Sequence, residues 1–440
     1  MHQDRQGNPL PGASARAAAN YDDALLAFNL YRGDPFAALD AMAAEAPDCA
    51  MAPIMKAALY ALATEPAAAR EGRAILDGLA GRRLDEREAS HVAAIDAILA
   101  GNWSAAARIL DRHAIRWPRD LLALQVGHLV DFFRASARSL RDRMARALPA
   151  FAGDVPGRSF VLGMYAFGLE ESGDYGRAEE AGREACAAEP RDAWAHHAVA
   201  HVMEMQGRAA DGLAWIEGRA PHWTGDDAFF QVHNWWHMAL CHLETDDAAS
   251  ALALYDGPIR GGRSAIAVDL VDASALLWRL AASGIDVGDR WDELSEAWEA
   301  HADGHLYPFN DWHAAMAHLG AGKTGHVARI LARYREASDT TREASAWARE
   351  TGLPLIEGFA AFHRGDYEAA VEALSGARHV ANTFGGSHAQ RDVIDWTMAE
   401  AALRGGLRAE AVAFARERLA LRPHSPVNAR FLRRAEHLAQ

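Results

Sequence analysis

Two histidine pairs at helical spacing are the first feature of this sequence that can do chemistry. His197 and His201 lie four residues apart with Glu204 three further on, so all three share one face of a helix. His233 and His237 repeat the four-residue spacing. Two imidazoles one turn apart form a chelating pair for a divalent metal, and a nearby carboxylate can complete the shell or act as a general base. The metal set read from the sequence is therefore His197, His201, Glu204 and His237, with zinc, manganese or iron as candidate ions. A histidine–carboxylate pair can equally move protons without a metal.

Other polar groups follow in order along the chain. Asp269 and Asp272 flank Leu270-Val271, and Asn310, Asp311, Trp312 and His313 stand together. Gly385-Gly386-Ser387-His388-Ala389-Gln390-Arg391 reads as a glycine-rich loop feeding a helix N-terminus. Such an N-terminus can receive a carboxylate or phosphate, and Arg391 can clamp it. Trp194, Trp235, Trp236 and Trp312 offer flat apolar walls for a planar or amphipathic molecule. A single histidine on a helix face is usually a satisfied core residue. Several on successive helices, beside Trp, Asn, Asp and Glu, point instead to a functional polar pocket.

These residues need elements to hold them. An apolar periodic segment repeatedly reaches a Gly-Asp/Asn/Arg turn and gives way to an alanine-rich segment. The turns are Gly33-Asp34, Gly101-Asn102, Gly173-Asp174, Gly207-Arg208 and Gly365-Asp366, with a degenerate copy at Thr245-Asp246. Glycine suits the left-handed stop of one helix, and Asp or Asn the N-cap of the next. Gly173 and Gly207 lie 34 residues apart and Gly33 and Gly101 lie 68 apart, the tetratricopeptide period and its double. Strand signals are almost absent. The sequence predicts an all-α, TPR-like right-handed superhelix of antiparallel helical hairpins. It runs continuously over 20–440 after a loose lead-in over 1–19, with an irregular insertion near 257–306.

Composition narrows the function classes. A formal net charge of −15 repels phosphate backbones and argues against a nucleic-acid partner. The arginines near the C-terminus (Arg416, Arg418, Arg422, Arg430, Arg433, Arg434) read as a solvated helix face. Three scattered cysteines, Cys49, Cys186 and Cys241, make no disulfide framework or metal knuckle, which fits a reducing cytoplasm. No apolar run reaches membrane-spanning length. No Rossmann fingerprint, P-loop or nucleophile elbow occurs, so neither a nucleotide nor a flavin is expected, nor serine acyl chemistry.

The runs Asp192-Ala-Trp194 through His197, His201, Glu204 and Arg208, and His233-Asn234-x-Trp236-His237-x-Ala-Leu-x-His242-Leu-Glu244, resemble the tetratricopeptide repeat protein 38 family. So do Asp269-Leu-Val-Asp272-Ala-Ser274 to Trp278-Arg279, Phe309-Asn310-Asp311-x-His313, and Gly385 to Asp392. The resemblance spans roughly Tyr21 to Arg434 and implies a cytoplasmic helical-repeat protein. It adds the choice of positions, since the shared signature falls on His, Trp, Asn, Asp and Arg.

The sequence thus favours an enzyme doing acid/base chemistry (hydrolysis, elimination or isomerisation) on a small anionic or planar molecule. The catalytic candidates are His197, His201, Glu204, His233, His237, Asp272 and His313. The substrate-binding candidates are Trp194, Trp235, Trp236, Asp269, Asn310, Asp311, Trp312, His388 and Arg391. The alternative is a non-catalytic scaffold holding a peptide or protein on a concave face. A homodimer is compatible with either.

Overall fold

The computed structural model describes residues 2–153, 155–337 and 341–438. Each sequence turn is where a helix stops: Gly33, Gly101, Gly173, Gly207 and Gly365 all take φ between 69° and 81°. At Gly365 the left-handed residue caps helix Leu353–Arg364, its N–H reaching the carbonyls of Ala361 and Phe362. Asp366 then caps helix Tyr367–Ala377 by accepting from the Ala369 N–H. The degenerate turn works without glycine because Asp246 itself adopts φ 62°.

The outcome is all-α, a succession of antiparallel helical hairpins from Ala15 to Glu436. The one sheet among the described residues is a two-stranded antiparallel ribbon, His2–Gln3 with Pro9–Leu10. It replaces the loose lead-in expected over 1–19, and helix Ala15–Leu30 already begins within that stretch. The ribbon's polar side chains are bonded, which holds it in place. The Asp4 carboxylate accepts from the N–H groups of Gln6 and Asn8, and the Asn8 amide donates to the Arg119 carbonyl. The buried Arg87 guanidinium donates to Pro9 O at 2.7 Å. No helix of the described residues is long and apolar enough to cross a membrane.

The sequence reads as one stack over 20–440, but the chain divides into two compact units. The first comprises 1–199 and 219–231, the second 200–218 and 232–440. In the first, hairpins such as Ala15–Leu30 with Pro35–Glu45 and Glu86–Leu99 with Trp103–Arg116 pack in sequence order.

In the second unit the two helices of a hairpin differ in burial. Helix Pro308–Gly320 buries twelve of its thirteen residues, whereas its partner Thr324–Glu336 buries Val327, Ile330 and Tyr334. A helix apolar or buried all round belongs to an inner layer and a one-faced helix to an outer one. Ala267–Ala282 and His388–Arg404 are inner by the same measure. Helix Ala267–Ala282 packs against Pro308–Gly320 and also against His388–Arg404, more than a hundred residues later. There Trp278 Nε1 donates to Thr397 Oγ1 at 2.9 Å and the Arg279 guanidinium to Ala389 O at 2.8 Å. The irregular segment near 257–306 is a π-helical turn at Tyr255–Ile259 followed by helices Ala267–Ala282 and Arg290–Trp298. Its buried Arg260 pairs with Glu293.

Candidate functional site

The second unit joins three inner helices through a chain of four side chains. Glu204 stands one turn after His201 on helix Ala193–Met205, and His233 and His237 share helix Gln231–Glu244. Asp272 comes from helix Ala267–Ala282. Glu204 Oε2 lies 2.9 Å from His237 Nδ1, His237 Nε2 lies 3.3 Å from His233 Nε2, and His233 Nδ1 lies 2.7 Å from Asp272 Oδ2. One ring nitrogen each of His201, His233 and His237 fall within 4.8 Å of one another. The chain is almost dry: His201, His237, Glu204 and Asp272 are all buried. His233 keeps 13% of its side chain exposed. Trp236 stacks on the His233 ring at 5.3 Å, and the Arg279 guanidinium sits 5.7 Å over the Trp236 ring.

Electrostatics follow from that burial. Burial holds His237 well below the ordinary imidazole range, and His233 and Arg279 add to the effect. Burial does the same to His201, reinforced by His237, His233, His388 and Arg391. Both rings are therefore neutral at pH 7, the form that accepts a proton or ligates a metal. Burial pushes Glu204 up to about 7 against the pull of Arg422 and Arg279. Asp269, one turn before Asp272, is also raised to about 7 by burial, with Ser264 and His233 opposing.

The remaining candidates fall in several places. His197 and Trp194 belong to the first unit. There His197 stacks on Phe167 at 5.3 Å and Trp194 packs among Tyr31, His128, Phe167 and Phe230. Trp235 is half-buried on the His233 helix. Asn310 is buried on helix Pro308–Gly320. On that helix Trp312 packs against Phe309, Phe359 and Phe384, which makes it core rather than an open wall. Asp311 is occupied structurally, accepting from Tyr334 Oη at 2.7 Å and from the Gly304 N–H at 3.1 Å. His313 bonds its own helix through Nδ1 to Phe309 O, and burial lowers it to about 3. The Gly385-Gly386 loop does feed a helix N-terminus, closed by a Ser387–Gln390 capping box. Arg391 donates to the carbonyls of Gly385 and Gly386, so much of its fork holds the loop. His388, the residue after the cap, is half-buried.

The C-terminal arginines correct the sequence reading. Arg418 and Arg422 are buried rather than solvated, and both pair with Asp392. Arg418 also donates to Asn428 Oδ1, and Ser425 Oγ donates to Glu244 Oε2. These cations, with Arg279, hold Asp392 well below the usual carboxylate range despite its burial. The only sequence signal was Asp392 at the end of a polar motif, a negative charge in need of a buried partner.

No family model matches the chain. Among solved structures the chain is similar to the crystal structure of the APC/C hetero-tetramer Cut9-Hcn1. The identity is 14% and the TM-score 0.46, over 95% of this chain and 76% of that one. A likeness of that degree carries no argument about ligand, partner or reaction.

Proposed function

We propose that the protein works by binding, as a helical-repeat scaffold that holds a basic peptide segment of a partner protein. The observation that carries this reading is the architecture itself: hairpin after hairpin of the same build, in which surface grows with every repeat. A net charge of −15 favours and steers a basic partner. The first unit offers a place, an open groove of about 470 Å³ walled by Leu39, Ala43, Ala52, Tyr60 and Ile75. Asp40 and Glu71 bring two carboxylates to it and Lys56 and Arg82 two cations, Lys56 being bonded to Asp40. The resemblance to the tetratricopeptide repeat protein 38 family agrees with a repeat protein of the cytoplasm. The three free, buried cysteines are what a reducing compartment allows.

The test is to pan a random peptide library on the purified chain and measure the enriched peptides against Asp40→Lys and Glu71→Lys. Asp40 is 64% exposed in its side chain, and such surface changes typically alter stability by about 0.5 kcal/mol or less. Basic peptides that bind the native chain and lose tenfold or more to either variant support the reading. Enriched peptides that are not basic, or that bind the variants equally, overturn it.

One observation favours a second reading, acid/base catalysis in the second unit. The Glu204–His237–His233–Asp272 chain can carry one proton per link, with a carboxyl group at each end. His233, the one member of the chain that keeps some exposure, would be the group that meets a substrate. A screen of small anionic or planar molecules decides it: turnover abolished by His233→Ala supports catalysis, and turnover that survives that change removes it.

A further inference from the structure

We infer that His201, His233 and His237 are the protein ligands of a zinc-class divalent metal, with Glu204 and Asp272 as the carboxylates that orient two of them. The inference does not depend on the scaffold reading, because a metal here can brace a repeat or serve a reaction.

His237 turns Nδ1 to Glu204 and His233 turns Nδ1 to Asp272, at 2.9 and 2.7 Å. In the tautomer in which each Nδ1–H donates to its carboxylate, each Nε2 carries a lone pair, and the two Nε2 atoms face one another at 3.3 Å. A divalent ion seated between those two lone pairs would satisfy both at once. A tetrahedral ion with zinc–nitrogen bonds of about 2.0–2.1 Å sets its ligand nitrogens about 3.3–3.4 Å apart. The observed separation is therefore that of two ligands already in register. His201 brings a third nitrogen within 4.8 Å of these two, its ring centroid 4.3 Å from that of His237.

The outer pair completes the pattern. Metal-bound histidines commonly donate their second N–H to a carboxylate, which fixes the tautomer and strengthens the ligand. Glu204 and Asp272 do this from two different helices. Glu204 therefore moves from the metal shell that its i, i+3 spacing suggested to a positioning role behind His237. Three imidazoles suit zinc better than magnesium or calcium, which take oxygen ligands. Nearby, Arg418 and Arg422 are paired with Asp392, and Glu244 lies 3.8 Å from Arg422.

The first unit supplies a contrast. His91, His113 and Asp120 also gather near one another. There both imidazoles point Nε2 at the same atom, Asp120 Oδ2, and the Arg87 guanidinium reaches that oxygen at 2.8 Å. A cation already fills that centre, and the carboxylate is its hub rather than its outer support. Geometry separates the two clusters although their residue types are alike.

The full chain, without an affinity tag, would be stripped with chelator and titrated with cobalt(II), then with zinc. The expected result is one equivalent of cobalt with the intense visible absorption of tetrahedral coordination, displaced by zinc. His233→Ala and His237→Ala should each abolish that band, while His242→Ala leaves it intact. Asp272→Asn should keep the stoichiometry and weaken affinity about 10- to 100-fold, the cost of losing an orienting partner. If the alanine variants misfold, X-ray absorption of the zinc-loaded native chain serves instead and should show three imidazole shells. No cobalt band at millimolar metal in the folded native chain overturns the inference, as does a band unchanged in His233→Ala or a spectrum lacking three imidazoles.

Discussion

Neutralising Asp392 probes the charge network behind the histidine chain. Its Oδ1 accepts from the Arg418 guanidinium at 2.9 Å and from Arg422, and its Oδ2 accepts from Arg418 at 3.2 Å. Both arginine side chains are 4% exposed. Asp392→Asn keeps the shape and leaves two buried cations short of a counter-charge. Breaking a buried pair from one side costs about 3–5 kcal/mol. Arg418 keeps Asn428, and Arg422 keeps Glu244 at 3.8 Å, so the loss belongs at the low end, about 3 kcal/mol. The assay is urea unfolding at several pH values, read as the free-energy difference between native and variant chains. The carboxylate's folded-state pKa lies below its ordinary 3.8, so the unfolded chain binds the proton more readily. The stabilisation is therefore complete above about pH 5 and is lost as pH falls through the folded-state value. A difference under 1 kcal/mol at pH 7 would mean that the arginines are solvated, and one equally large at pH 3 would mean that the loss does not come from the carboxylate's charge; either result refutes the reasoning.

Three further outcomes follow from the same geometry. Asp311 is raised to about 7 by burial, so the folded chain holds a proton that the unfolded chain releases between pH 3.8 and 7. Stability should decline by about 1–3 kcal/mol as pH rises through that window, and Asp311→Asn should flatten the decline in urea midpoints. Gly320→Ala places a Cβ 2.2 Å from the Trp291 ring and should cost about 1–3 kcal/mol by overpacking, seen in thermal unfolding. Trp298→Phe removes the Nε1–H donated to the buried Ser274 Oγ at 2.8 Å and should cost about 1 kcal/mol, also in thermal unfolding.

The sequence made the hairpins legible because their turns are local chemistry. A glycine stop and an Asp or Asn cap act within a few residues, and all five glycines adopt the left-handed conformation. The same locality placed His233 and His237 on one helix face and Glu204 behind His201. What it left hidden was long-range. Nothing in the runs around Arg418 and Arg422 shows that a carboxylate 26 to 30 residues earlier lies within bonding distance. Asp311 looked like a site residue because its helix is rich in polar groups, yet its partner Tyr334 sits on the following helix. The N-terminal ribbon was missed because its polar side chains mimic a solvated tail. Asp4 and Asn8 are instead buried by bonding to each other and to the first unit.

The scaffold reading is tested most directly by hydrogen exchange of the full chain with and without a basic peptide that it binds. The account predicts slowed exchange in helices Pro35–Glu45, Met51–Leu62 and Pro66–Asp77, whose side chains wall the groove, and no slowing when Asp40→Lys is used. Protection confined to helix Gln231–Glu244 or Ala267–Ala282 would contradict it and move the binding site to the histidine chain of the second unit.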